Sequence, residues 1–423
     1  MVEVDAVLED LGHSYSPFHV VKNITERLKE AGYTALNEKE PYPLVLGGRY
    51  YVTRNDSSLL AFSLPETMNP GTAFRFAAAH TDSPTFVIKP NPTLCKNNMI
   101  SWNVEPYGGM IDATWLDRPL SFGGRVYYED KNGDTKMTLV APQEDVLYIP
   151  NLCIHFNRNV NSGYAYNPAV DMIPLAGLGK DFSFSDYLLS LLPKDAKTIL
   201  SFDLSLYNRD KPRLVGIHQE FLSSPRLDDL ASTYSVLQGF IQAKPHYINV
   251  YCAFDNEEVG SLTMQGANGT FLTDTLHRLC EALALPYEET LARSFLLSVD
   301  NAHAIHPNHP EFSDASSPVY LNGGIAVKYN AAQHYTSNGR SVAFLTTIAK
   351  NANIPLQSFT NRSDLRGGST LGNLSNNQVS LCSVDIGIPQ LAMHSANELC
   401  GIKDVTAMVR LLEAYYTSAK ELL

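Results

Sequence analysis

The sequence predicts an α/β fold, a central mixed sheet flanked by helices and interrupted by an inserted β-rich unit. Apolar strand-like runs alternate with helical patterns, as where the helical 227–243 precedes the strand-like 247–254; such alternation is typical of α/β sheets. From about residue 90 to about 212 the chain is instead rich in glycine, proline and asparagine, with short alternating runs. We therefore expect one domain from 1–89 and 213–423, and a β-rich insertion from 90–212.

Amphipathic helices are predicted near both ends of the chain. The first is expected to begin after Ser16, to have Pro17 in its first turn, and to end at Gly32. The last is expected to have Asp404 as its N-cap. Apolar residues recur at helical spacing in both, so we expect both helices to pack on the core.

Composition excludes several classes of protein. The 423 residues include 44 acidic and 32 basic side chains, a net charge of −12, whereas a nucleic-acid binder needs a basic face. Apolar runs such as 247–254 are far shorter than the roughly 20 residues that span a membrane. The acidic N-terminus lacks the features of a secretory signal. The 6 cysteines are far apart with no CxxC pair, which favours reduced thiols in a cytoplasmic protein.

Groups capable of chemistry follow four apolar runs. The runs 74–79, 247–254, 295–299 and 390–393 are followed, respectively, by His80 with Asp82, Glu257 with Glu258, Asp300, and His394. A further acidic pair, Asp228 and Asp229, precedes the helix that begins near Leu230. Because ligands bind at the carboxyl ends of strands in open α/β sheets, we expect these side chains to form one site.

Imidazole and carboxylate groups without thiolate suit zinc, cobalt or manganese. A two-metal centre needs a shared carboxylate, for which Asp228 is the best candidate. Asp82 is placed to accept the second N–H of His80. Of the adjacent Glu257 and Glu258, one would bind metal and the other would take a proton from water.

Motifs along nearly the whole chain resemble one family. They are AAHTDSP (78–84), VEPYGG and TWLDRPLSFGGRV (104–126), IHFNRNVN (154–161), SPRLDDL (224–230), DNEEVGS (255–261), VDNAHAIHPN (299–308), KYNAAQHY (328–335), GGSTLG (367–372) and QLAMHS (390–395). In this order they resemble the M18 metallo-aminopeptidases, the aspartyl aminopeptidase group of the dizinc peptidase clan.

The resemblance implies removal of single N-terminal residues, acidic ones among them, from peptides by a centre of two zinc ions per subunit, with cobalt or manganese as substitutes. His80, Asp228 and Asp300 would hold one zinc. Asp228, Glu258 and His394 would hold the other. Glu257 would be the general base, with Asp82 supporting His80.

The resemblance also implies that the insertion is a dimerisation domain and that dimers form a tetrahedral dodecamer. His155 would reach a neighbouring subunit's site and stabilise the oxyanion there. The alternative role of His155, as a metal ligand, is less favoured because strand-end groups already fill the ligand positions. The substrate would contact this histidine and seven further residues: Glu257, Asp300, His303, Lys328, Tyr335, Gly368 and Ser369.

Some positions depart from the family pattern, and two alternatives stay open. His334 and Asn397 stand where arginine is common, which reduces the positive charge available to select an acidic first residue. Asp229, Asn256 and Asn301 also depart, without removing a predicted ligand. A zinc deacylase or carboxypeptidase of the same clan is one alternative, and a catalytically silent assembly protein is the other. The presence of the predicted ligands and base favours the aminopeptidase.

Overall fold

The computed structural model describes residues 2–69, 71–365, 367–368 and 370–422. The mixed α/β class is confirmed, with a 9-stranded sheet at its centre. Its strands, from edge to edge, are Thr34–Ala35, Arg49–Arg54, Ser58–Ser63, Ile248–Phe254, Phe74–His80, Phe295–Val299, Cys382–Gly387, Ile325–Tyr329 and Leu356–Thr360. The four strands from Ile248–Phe254 to Cys382–Gly387 are parallel to one another, so their carboxyl ends meet at one edge.

Helices cover both faces of this sheet. The α-helices are Val2–Gly12, Pro17–Glu30, Val160–Gly163, Pro168–Asp171, Phe184–Ser190, Leu227–Gln242, Phe271–Ala282, Tyr287–Ala292, Gly339–Asn351, Leu371–Gln378 and Ile402–Thr417, and the short 3₁₀ turns are Asp112–Trp115, Glu257–Val259 and Pro310–Phe312. Neighbouring strand residues alternate between the two apolar cores: Ala77 packs with Tyr234 and Leu412 on one face, and Phe76 with Phe271 on the other. This burial on both faces explains why the central strands read as continuous apolar runs.

A second, antiparallel sheet lies within the predicted insertion. Its strands, in order, are Ala196–Asn208, Thr85–Lys96, Met99–Tyr107, Leu175–Leu178, Leu147–Tyr148, Pro119–Asp130 and Thr135–Val140. The first also pairs with Pro119–Asp130, which closes the sheet on itself around Trp102, Phe122 and Phe184. Residue 90, the predicted start of the insertion, falls inside the strand Thr85–Lys96.

A third sheet of 5 strands continues from the large one. Its order is Arg213–Val215, Phe221–Ser224, Glu398–Gly401, Pro389–Leu391 and Ala302–His303. Of the run 390–393, expected in the large sheet, residues 390–391 lie in a strand of this sheet and 392–393 in a turn. The chain leaves the large sheet at Gly387, where a Cβ would lie 2.1 Å from the Asp300 carbonyl oxygen. The chain thus leaves the sheet at a position with no room for a side chain and continues toward His394.

The two end helices test the predicted caps. Pro17–Glu30 follows Ser16 as expected, although the Ser16 hydroxyl bonds His19 Nδ1 rather than a backbone N–H. The prediction for Asp404 was wrong, because the last helix begins at Ile402 and its N-cap is Gly401. The buried carboxylate of Asp404 instead accepts hydrogen bonds from the backbone N–H groups of Asn322 and Gly324, which belong to another loop. Among the described residues, no helix is long and apolar enough to cross a bilayer.

Candidate metal centre

Six of the predicted side chains meet at the carboxyl edge of the parallel strands. They form three overlapping groups whose ligand atoms lie within 4.8 Å of one another: His80, Glu257 and Glu258; His80, Asp228 and Asp300; and Asp228, Glu258 and His394. His80, the Glu257–Glu258 pair and Asp300 stand at the ends of parallel strands, so their placement follows from the parallel topology. Asp228 begins a helix, and His394 follows the strand Pro389–Leu391 of the small sheet.

Asp228 lies at the middle of this cluster. Its Oδ1 is 3.7 Å from His80 Nε2, and its Oδ2 is 3.3 Å from His394 Nε2. His394 Nε2 is also 3.4 Å from Glu258 Oε1. Each carboxylate oxygen of Asp228 thus faces a different imidazole.

Local backbone features aim these side chains. His80 is the last residue of its strand, and Asp300 directly follows another. Asp228 has non-helical dihedral angles at the start of the helix Leu227–Gln242, which turn the chain before the helix proper. His394 takes the left-handed conformation, with φ of 64°. The sequence thus combines rigid strand ends with sharp turns.

The donor set fits divalent cations. Asp228 Oδ1 and Glu258 Oε1 are buried and have no hydrogen-bond partner among the described residues. Leaving buried carboxylate oxygens unpaired is costly, so such groups normally bind a donor or a metal. Nitrogen and oxygen donors at this spacing suit zinc.

The electrostatics of the cluster also favour the binding of divalent cations. Burial raises the pKa of Glu257 to about 8 and the pKa of Asp300 to about 6. Burial opposes ionisation of Asp228 too, but the neighbouring imidazoles of His394 and His80 hold the pKa of Asp228 far below its usual value. Without a cation, several of these groups would retain protons. Bound dications displace such protons and remove the mutual repulsion.

Asp82 supports the cluster from behind His80. Its Oδ1 is 3.3 Å from His80 Nδ1, and its backbone oxygen is 3.0 Å from the same nitrogen. Asp82 also accepts the backbone N–H groups of Glu257 and Glu258 and the hydroxyl of Tyr107. Sequence reasoning did not single out Tyr107, although it lies in the quoted VEPYGG segment.

Glu398 is a second residue that the sequence did not reveal. It is 3% exposed, and its two oxygens accept the backbone N–H groups of Asp228, at 3.0 Å, and His394, at 2.7 Å. One carboxylate therefore fixes the backbone at two members of the cluster. Its position within a strand of the small sheet gave no signal in the sequence.

A cavity of about 300 Å³ opens beside the cluster. All six members of the cluster line it, and so do four further predicted residues and Phe359, which was not predicted. The four are His303, Lys328, Tyr335 and Gly368. Ser369 lies outside the described residues.

Lys328 is the buried cation of this cavity. Its Nζ is 3.5 Å from Asp300 Oδ2 and 5.4 Å from the centre of the Tyr335 ring. Although burial opposes it, Asp300 raises the pKa of Lys328, so the amine stays protonated. Burial and Lys328 both lower the pKa of His303, which favours a neutral imidazole.

His155 occupies a different part of the chain. It is exposed, in the turn where the N–H groups of Phe156 and Asn157 are donated to the Cys153 carbonyl. It belongs neither to the described metal-ligand groups nor to the cavity lining. A single chain therefore does not bring His155 to the cluster.

Comparison with known proteins agrees with this geometry. Residues 11–416 match the family model of the aminopeptidase I zinc metalloproteases, M18. A probable M18 family aminopeptidase 2 of Clostridium acetobutylicum is 42% identical over 416 residues, which cover 95% of this chain and 96% of the relative. One from Pseudomonas aeruginosa is 38% identical and covers 98% of each.

Solved structures give the same result. The chain aligns with one from the cryo-EM structure of the Ape4 and Nbr1 complex at a TM-score of 0.94 and 35% identity, covering 98% of this chain and 85% of that one. It aligns with the S. cerevisiae mApe1 dodecamer structure at a TM-score of 0.86 and 26% identity, covering 98% of this chain and 96% of that one. Fold and site thus define a zinc metallopeptidase, a hydrolase of peptide bonds. The chain belongs to the M18 family of aminopeptidases.

Glu398→Gln tests the backbone support of the cluster. The amide can accept only one of the two N–H groups and turns its own N–H toward the other, so we expect the free energy of unfolding to fall by about 1–3 kcal/mol. Urea unfolding of the metal-free protein measures this loss. The matched control is Glu289→Gln, an exposed position in the helix Tyr287–Ala292; an equal, small effect of both substitutions would contradict the assignment.

Proposed function

We propose that this enzyme removes single N-terminal residues from peptides at a centre of two zinc ions. His80, Asp228 and Asp300 would hold one ion, and Asp228, Glu258 and His394 the other. The observation that carries the proposal is Asp228, which belongs to both donor groups and faces one imidazole with each oxygen. Cobalt or manganese could replace zinc at such donors. When bound, the ions polarise the scissile carbonyl and lower the pKa of water.

Glu257 is the proposed general base. Its backbone is fixed by Asp82, and its carboxylate lies with His80 and Glu258. Without a metal ion, burial raises the pKa of Glu257 to about 8; nearby dications would favour the ionised form, which is the form that accepts a proton. Glu257 would take a proton from the attacking water and deliver it to the leaving amine. The acidic cluster would also attract the free α-ammonium group of the peptide.

Glu257→Gln removes the proton acceptor while keeping the shape of the side chain. We expect kcat to fall by about 10²–10⁴-fold, as is typical for loss of a general base. Zinc content per subunit, measured by atomic emission, should stay at the wild-type value. Activity close to wild type at unchanged zinc content would contradict the role of Glu257 and reopen the question of the active residues.

A panel of substrates distinguishes the aminopeptidase from a deacylase or carboxypeptidase. We expect hydrolysis of unblocked peptides to cease on N-acetylation and to survive C-amidation, because the α-ammonium group is the anchor. Cleavage of acetylated peptides would overturn this expectation.

We also propose that Lys328 makes the enzyme prefer acidic first residues. Lys328→Met should lower the ratio of kcat/KM for Glu-peptides to that for Leu-peptides by about tenfold, or about 1.4 kcal/mol. An unchanged ratio would overturn this proposal.

We infer that the 90–212 insertion forms a dimer contact and that dimers assemble further, into a tetrahedral dodecamer. The support is the similarity to a chain whose structure is described as a dodecamer, together with the exposure of apolar side chains around His155: Leu152 at 53%, Ile154 at 50% and Phe156 at 80%. Such exposure is typical of surfaces covered by another subunit. In this assembly His155 would stabilise the oxyanion in the partner's site.

Mixed oligomers test whether His155 acts between subunits. We expect His155→Ala alone to reduce kcat by about 10²–10³-fold, as for loss of an oxyanion donor. When it is unfolded and reassembled with an equal amount of Glu257→Gln, a hybrid dimer has one site with both wild-type groups. Activity should then recover to about a quarter of wild type, since half of the dimers are hybrid and half of their sites are complete. No recovery, with hybrids detected by native mass spectrometry, would contradict action in trans.

A further inference from the structure

One segment of the second sheet contacts Asp82, which lies beside His80, and also contacts His394 directly. This segment, residues 107–111, begins at the end of the strand Met99–Tyr107. The Tyr107 hydroxyl donates to Asp82 Oδ2 at 2.7 Å, and Asp82 in turn faces His80. The Gly109 carbonyl oxygen pairs with His394 Nδ1, and the Ile111 N–H donates to the His394 carbonyl at 3.0 Å.

We propose that residues 107–111 are part of the metal centre and that Tyr107 is a positioning residue, which fixes Asp82 against His80. This inference rests on the proposed function, because it assumes that His80 and His394 bind zinc. The segment comes from the β-rich unit, whereas the ligands come from the rest of the chain. The metal centre would thus be complete only when the two parts are docked.

The direction of the Tyr107 hydrogen bond is set by a chain of neighbours. Asn256 Nδ2 donates to the Tyr107 oxygen at 2.8 Å. Asn256 Oδ1 accepts from Thr263 Oγ1 and Gln265 Nε2, both at 2.9 Å. These contacts orient the amide, so the tyrosine oxygen accepts from Asn256 and its own proton is directed to Asp82. Burial and the charge of Asp82 raise the pKa of Tyr107, which keeps the hydroxyl a donor.

The consequence for His80 is a fixed ring and a fixed tautomer. Three donors hold the Asp82 carboxylate: the Tyr107 hydroxyl at 2.7 Å and the N–H groups of Glu257 and Glu258, each at 3.1 Å. A carboxylate so held can accept a hydrogen bond from Nδ1 of His80 at 3.3 Å, beside the Asp82 carbonyl, which lies 3.0 Å from the same nitrogen; Nε2 is then left with its lone pair toward Asp228. Loss of such a support typically weakens metal binding by about 10–100-fold.

Gly108 shows how closely the segment approaches the cluster. Its φ is +72°, and a Cβ there would lie 3.1 Å from Glu258 Cβ. A Cβ on the adjacent Gly109 would meet nothing within 4 Å. The two glycines thus provide a matched pair: Gly108→Ala should displace the segment or Glu258, and Gly109→Ala should not.

The test is zinc affinity, measured by competition with a chromogenic chelator. We expect Tyr107→Phe to bind zinc about 10–100-fold more weakly than wild type, while the metal-free protein remains folded. The matched control is Tyr148→Phe, a half-exposed tyrosine of the same sheet, which should bind as wild type does. Asn256→Ala should weaken binding less, and should add little to Tyr107→Phe because both act through one hydroxyl.

Three outcomes overturn the inference. They are zinc affinity of Tyr107→Phe equal to wild type, an equal loss in Tyr148→Phe, and equal zinc affinity in Gly108→Ala and Gly109→Ala. The proposed function fails separately, if wild-type protein does not bind two zinc ions per subunit or if His80→Ala binds them as tightly. Should Tyr107→Phe not fold, the Asn256 and glycine variants decide the question by the same measurement.

Discussion

Repulsion among buried carboxylates is the constraint around which the molecule is organised. Asp228, Glu257, Glu258 and Asp300 lie close together at one end of the cavity, and burial raises the pKa of three of them, Glu257, Glu258 and Asp300. Such a cluster is costly unless protons or cations neutralise it. The fold supplies part of this neutralisation through the imidazoles beside Asp228 and the ammonium group of Lys328 beside Asp300. Dications would supply the rest.

Strand-end residues of the site could be predicted from the sequence because parallel strands deliver them to one edge. His80, Asp300 and the Glu257–Glu258 pair are examples, since each directly follows an apolar run that became a central strand. His394 was also found, although its run lies in the small sheet.

The supports of the site could not be predicted in the same way. Glu398 and Tyr107 lie on strands of the other two sheets, and only tertiary contact brings them to Asp228 and Asp82. Asp404 looked like a helix cap because Asp is common there, but a distant loop takes its oxygens. No periodicity or spacing carries information about such contacts.

The charge of the whole chain and the charge of its cavity act differently on a substrate. With a net charge of −12, the overall field would repel an acidic peptide. Within the cavity, Lys328 is 3.5 Å from Asp300, so its charge is largely balanced. In the proposed centre Asp300 shares its negative charge with zinc, which leaves the ammonium group of Lys328 less compensated. Selection of an acidic first residue by Lys328 would therefore depend on the same ions that promote the hydrolysis.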